Sequence, residues 1–186
     1  MNTSGTVQIP GLNKFYAYDV LAGQTTTLRL PAEVEIFSPD QTLNKGILVT
    51  AVDEVAVYGL NQLTASTDGY TALPVDAIGR NYVVLGYGNT VHLGGEGGTN
   101  LTIVGTADNT TINITPAVAV GAHPASVPFT ITLNAGQAYT LHVDTQPNNI
   151  SGVVDLTGSL VNADKPISLY GGNTAAYVPE IGRAHV

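Results

Sequence analysis

Cysteine and tryptophan are both absent from these 186 residues, and charge is scarce. Without cysteine there can be no disulfide, no thiolate nucleophile and no cysteine-built zinc site. Charged side chains make up 11% of the chain, against about 25% in an average soluble domain. Cations are the rarest group: Lys14, Arg29, Lys45, Arg80, Lys165 and Arg183, with a formal net charge of −8. A surface of that sign repels phosphate backbones, so nucleic acid is not an expected partner. No run of 18 apolar residues occurs, so no helix long enough to cross a bilayer is expected, nor membrane insertion. The opening MNTSGTVQIP has neither the basic region nor the apolar core of a signal peptide, and Met1 reads as a start placed on an excised piece. No window shows a helical period.

What fills the chain instead is Thr, Gly, Asn, Ala and Val, and much of it is written twice. Val49, Ala51, Val55, Val57, Tyr58, Gly59 and Asn61 return as Val161, Ala163, Ile167, Leu169, Tyr170, Gly171 and Asn173, each 112 positions on (161 − 49). Ala22, Gly23, Gln24 and Leu28 return as Ala135, Gly136, Gln137 and Leu141, 113 positions on (135 − 22). Two motifs in the same order at one spacing indicate an internal duplication. In both copies of the first motif two strands flank a tight turn, Asp53-Glu54 or Asp164-Lys165, with aliphatics on one face and Tyr on the other.

Alternation places further strands. Phe15–Leu21 and Thr26–Leu30 read as strands around a glycine turn of hairpin type. Tyr70–Leu73, Asn81–Tyr87, Val91–Leu93, Leu101–Ala107 and Thr110–Thr115 follow. The last two read as the clearest hairpin, around Asp108-Asn109, with Leu101 and Ile103 facing Ile112 and Ile114. Phe129–Leu133, Tyr139–Val143, Val153–Leu156 and Ser159–Ala163 complete the set, with a turn at Pro147-Asn148-Asn149. The reading is an all-β chain, an antiparallel β-sandwich built from two related strand units. The first unit spans 1–116, a linker or crossover 117–128, and a second, truncated unit 129–186, with one continuous domain as the alternative. In the shared-core case, Asp at Val57 or Leu169 is expected to unfold the whole protein.

VQIPGLNKFYAYDVLAGQTTTLRLP, TADNTTINITP (Thr106–Pro116) and DLTGSLVNADKPISLYGGN (Asp155–Asn173), among other stretches, resemble the N-terminal domain family of IgGFc-binding proteins. The resemblance runs over about Val7–Pro179. In that family a stretch like DGYTALP (Asp68–Pro74) follows the second copy, which is why this chain reads as a truncated fragment. The resemblance implies a secreted or surface module, found in mucus and in many bacteria, with a binding or adhesive role. Many members carry Cys near the position of Thr174–Ala176; this chain has none, so disulfide assembly is not implied. Antibody binding is not carried over, and the family supplies no catalytic motif.

The residues themselves point the same way on catalysis. His92, His123, His142 and His185 show no metal-ligand spacing and read as surface residues. There is no GxSxG, and no carboxylate stands in a recognisable motif. Gly94–Gly98 lacks the helix and Lys of a phosphate cradle, and Asp108 with backbone carbonyls is a poor calcium set. Sequons at Asn2, Asn100, Asn109, Asn113 and Asn149 matter only in a glycosylating pathway. No catalytic residue, metal or cofactor is therefore assigned.

The expected function is a non-enzymatic extracellular or cell-surface adhesin or binding module that presents loops to a glycan or protein. Its expected contact residues are Tyr58, Tyr170, Thr102, Thr111 and Asn113. Each has a plainer explanation: Thr suits exposed strands, and Tyr at the same place in both copies suits packing between units. Self-association through exposed strand edges is a further expected mode. The rival reading is a structural spacer or stalk unit with no ligand of its own.

Overall fold

Period-two burial decides which strands reach the core. In the computed structural model, which describes residues 2–36, 38–63, 66–86, 98–143 and 155–173, the chain is all β. Its strands are β1 (Thr3–Ile9), β2 (Lys14–Val20), β3 (Gln41–Leu43), β4 (Leu48–Ala51), β5 (Val57–Leu63), β6 (Ser66–Ala72), β7 (Asn81–Val83), β8 (Thr99–Gly105), β9 (Thr110–Thr115), β10 (Phe129–Leu133), β11 (Ala138–His142), β12 (Leu160–Ala163) and β13 (Ile167–Asn173). They form two four-stranded sheets, β10-β9-β12-β7 and β13-β8-β11-β3, a three-stranded sheet β2-β1-β4, and a β5-β6 ribbon, all antiparallel. The expected strand at Val91–Leu93, the turn at Pro147–Asn149, His92, His185 and most of the Gly94–Gly98 run lie outside the described residues.

The two four-stranded sheets face each other across one core. Leu101, Ile103, Leu141 and Ile167 come from one sheet; Ile112, Ile114, Leu133 and Val161 come from the other, and all are 0–1% exposed. Strands on either side of residues 117–128 pair with one another: β9 with β10 and β12, and β8 with β11 and β13. The 117–128 segment itself joins neighbours of one sheet and sends buried Val120 into the core.

The hairpin expected around Asp108-Asn109 turns out to be a crossing between sheets. β8 and β9 alternate in step as foreseen, yet they lie in opposite sheets, and so do β10 and β11. The inward aliphatics of each pair therefore meet face to face across the core instead of side by side in one sheet. Polar groups hold the corners of these crossings. Lys165 Nζ donates to the carbonyls of Asp108 and Asn109, and Asp108 Oδ1 accepts the Ala135 N–H at 3.1 Å.

At the other end of the chain, Thr3–Ile9, which the sequence reading did not count among its strands, is β1, the middle strand of its sheet. That sheet copies β10-β9-β12 in order and in register. Val7 lies between Tyr16 and Val49, as Ile114 lies between Phe129 and Val161. The flanking partners stand 113 and 112 positions apart (129 − 16; 161 − 49), the two offsets of the sequence repeat. The turns that follow also match. Gln24 donates to the Leu21 carbonyl at 2.9 Å and Gln137 to the Asn134 carbonyl at 3.0 Å. Gly23 and Gly136 sit at φ of +73° and +77°, where a side chain is strained. Past that turn the copies diverge: residues 138–142 form β11, while residues 25–30 belong to no strand.

Candidate binding surface

Outward positions of the two large sheets carry the polar side chains, and register brings them into rows. Across β10-β9-β12-β7 one row reads Thr130, Asn113, Asn162, Asn81. Thr130 Oγ1 donates to Asn113 Oδ1 at 2.6 Å, and Asn162 Nδ2 donates to Asn81 Oδ1 at 2.9 Å. All four residues are exposed. The next row on that face pairs Thr132 with Thr111, whose N–H is held by Asp164 Oδ1 at 2.9 Å. Exposed Leu160 and Val83 are directly opposite one another at the far side, 45% and 63% exposed. The result is a flat face of amides and hydroxyls with a small apolar border. It fits a ligand that lays several hydroxyl or amide groups across it.

The five expected contact residues do not converge. Thr111 and Asn113 share the face just described. Thr102 and Tyr170 lie opposite each other on the outer face of the other large sheet. There Thr102 and Thr140 hydroxyls bond at 2.9 Å. The Tyr170 ring meets Tyr70 edge-on, centroids 5.0 Å apart, and so links the β5-β6 ribbon to the sandwich. Burial, then the neighbouring Tyr170 and Asp68, pushes the Tyr70 phenol above its ordinary value. Tyr58 stands on the ribbon itself, opposite Thr71 and 72% exposed. Asn81, Asn162 and Thr130 were not singled out from the sequence. Their signal was an outward Asn or Thr in three separate strands, meaningful only once the register joins them.

A second polar cluster also escaped the sequence reading. Asp40, at φ +58°, offers Oδ1 both to Tyr139 OH at 2.5 Å and to His123 Nε2 at 2.9 Å, while its N–H donates to the Thr140 carbonyl at 2.8 Å. The His123 ring stacks on Phe129 with centroids 3.6 Å apart. Burial alone raises the Asp40 carboxyl, but the hydrogen bonds from Tyr139 and His123, with the His123 charge, hold it below its ordinary value. Burial, then the bond to Asp40 and its charge, pushes the Tyr139 phenol far above its ordinary range. Both donors converge on one carboxylate oxygen, and the phenol stays protonated. The cluster is therefore a clamp between the turn before β3, β11 and the 120–123 turn, rather than an acid–base pair.

Among the described residues no three His, Asp or Glu side chains gather as a metal site. The Asp108 and Asn109 carbonyls, weighed above for calcium, already face the Lys165 ammonium. No helix there is long and apolar enough to cross a membrane. Compared with known families, the chain matches the family described as IgGFc binding protein over residues 68–185, a span holding seven of the eight strands of the two large sheets, all but β3. No curated protein and no solved structure matches it.

Proposed function

This chain belongs to the IgGFc-binding protein family, and from that premise we propose that it is a non-enzymatic binding module of an extracellular or cell-surface protein. The observation that supports this reading is the exposed Thr130-Asn113-Asn162-Asn81 row on one sheet. Its amides and hydroxyls sit at the strand spacing of about 4.8 Å, fixed by the ladder beneath. Such a face recognises glycan hydroxyls or an extended polypeptide without rearrangement, because the positions of its donors and acceptors are already set. A flat face of this kind works by multiple weak contacts.

The test is a glycan array, with a parallel pull-down on intact cell surfaces, using the purified chain presented multivalently. Asn113→Ala with Asn162→Ala is expected to lower either signal at least tenfold while leaving the thermal melt unchanged. Wild-type signal no higher than background in both arms contradicts the proposal. A spacer with no ligand of its own is the second reading, favoured by one contact: Tyr170 packs on Tyr70 instead of standing free. A double-mutant melt at these two Tyr separates the roles, since a spacer loses stability there and no binding.

A further inference from the structure

The outer face of β10-β9-β12 has a counterpart, matched in register, on β2-β1-β4. Its rows Thr130-Asn113-Asn162 and Thr132-Thr111-Asp164 correspond to Ala17-Thr6-Thr50 and Asp19-Ser4-Val52. The ends of the second pair of rows match as well. The Val52 N–H donates to the Ser4 carbonyl at 2.9 Å, and the Asp164 N–H to the Thr111 carbonyl at 3.1 Å. Smaller side chains hollow the first of these faces, since Ser4 and Ala17 stand where the other has Thr111 and Thr130. A shallow hollow of about 460 Å³ lies between the two rows, and alternation puts the main chain of Gly5, Tyr18 and Ala51 at its floor. A second, of about 470 Å³, lies on the other side of Asp19-Ser4-Val52, toward Asn2 and Leu21. Neither is lined by Val7, Tyr16 or Val49, the inward row, so both open on the outer face.

The two hollows share the Ser4-Asp19 pair, directly opposite one another and both exposed. Among the described residues no hydrogen bond or ion pair engages the Ser4 hydroxyl or the Asp19 carboxylate. In the matching row the carboxylate is already taken: Asp164 Oδ1 accepts the Thr111 N–H at 2.9 Å. Beside the pair, the Thr6 and Thr50 hydroxyls bond at 2.8 Å, and Gln8 Nε2 donates to Thr6 Oγ1 at 3.2 Å. Those two hydroxyls are thus held in place. Exposed Val52 and Leu21 border the hollows with apolar surface. Among the described residues no Lys, Arg or His lines either one.

We propose that the outer face of β2-β1-β4 is a second binding site, and that its ligand is a neutral oligosaccharide. The inference rests on the reading of the chain as a binding module and commits this site to one ligand class. The Asp19 carboxylate accepts sugar hydroxyls through charge-assisted hydrogen bonds. Ser4, Thr6 and Thr50 both donate and accept, as a ring of hydroxyls requires. Val52 and Leu21 meet the C–H faces of the sugar. A carboxylate with no cation beside it repels uronic acids and phosphates, so the saccharide is uncharged. An extended peptide draws its affinity from main-chain bonds at a sheet edge. Here β1 is paired on both sides, so the face offers side chains alone.

The probes are mannotetraose, cellotetraose and lacto-N-tetraose, with trigalacturonate as the acidic counterpart, each titrated into the whole chain and followed by amide NMR shifts. At least one neutral sugar is expected to shift amides of residues 3–6, 17–20 and 50–53 saturably, and trigalacturonate to leave them unmoved. Asp19→Ala, an exposed change, should weaken that binding about tenfold or more with an unchanged melting temperature. Asn113→Ala with Asn162→Ala should leave these shifts in place. Shifts confined to β9, β10 and β12 overturn this site while the binding-module reading stands. No shift by any neutral sugar also overturns it, and the cell-surface pull-down then decides the wider reading on its own. Equal affinity in Asp19→Ala, or trigalacturonate binding there as tightly as a neutral sugar, overturns the assigned chemistry.

Discussion

Asp40 is the residue that ties the most elements together, yet nothing in the sequence marks it. It lies 83 positions from His123 and 99 from Tyr139, and only the fold brings the three together. Tyr139→Phe removes a charge-assisted hydrogen bond from a ring that stays buried. It should cost about 1–2 kcal/mol in urea unfolding. The pH dependence follows from the directions of the shifts. Because the Asp40 carboxyl is held below its ordinary value of 3.8, its contribution is present above that pH and lost as pH falls through the folded value. Asp40→Asn should therefore flatten the acid limb of a stability–pH curve. Because the Tyr139 phenol is raised above its ordinary 10.0, its contribution is intact below that pH and declines as pH rises beyond it. Tyr139→Phe should flatten the alkaline limb. A variant curve parallel to wild type on the relevant limb would show that the clamp carries no linkage. Thr111 and Asn113 were legible residue by residue, as outward positions of an alternating strand. Their partners Asn162 and Asn81 were not, because a row across strands depends on pairing that no single segment contains.

At the level of elements, period two gave the inward and outward faces correctly but not the sheet to which each strand belongs. β8 and β9 show why. Leu101, Ile103, Ile112 and Ile114 alternate in the same phase whether two strands lie side by side or face each other across a core. The corner between β10 and β11 offers a sharp test of the crossing. Gly136 holds φ at +77° with open space around a would-be Cβ, so Gly136→Ala meets backbone strain and no clash. The expected loss is about 1–2 kcal/mol, read from the shift in urea midpoint at constant slope. A loss under about 0.5 kcal/mol, within the range of ordinary surface changes, would mean the corner relaxes to another turn. β1 was missed for a related reason: Thr3–Ile9 carries Thr, Ser, Gly and Gln at most positions, and only Val7 and Ile9 are buried. Its place in the sheet comes from the strands beside it.

For the whole molecule, the 112 and 113 offsets read from the sequence also separate the partners of Val7 on β1 from those of Ile114 on β9. The sequence could not show which aliphatics are deepest. Val57 and Leu169, the residues first expected to hold a shared core, are both half-buried, whereas Val161 and Ile167 are fully buried. The account rests on one core filled from both sides of residues 117–128. Ile112 on β9 and Leu133 on β10 are each 0% exposed within it. Ile112→Ala and Leu133→Ala should each cost about 2–5 kcal/mol. The deciding measurement is native-state hydrogen exchange of both variants. The account predicts that each substitution lowers protection together in β8, β9, β11, β12 and β13, by the same free energy. If Ile112→Ala leaves β11 and β13 at wild-type protection, or Leu133→Ala leaves β8 and β9 so, the two sides fold separately and the account is contradicted.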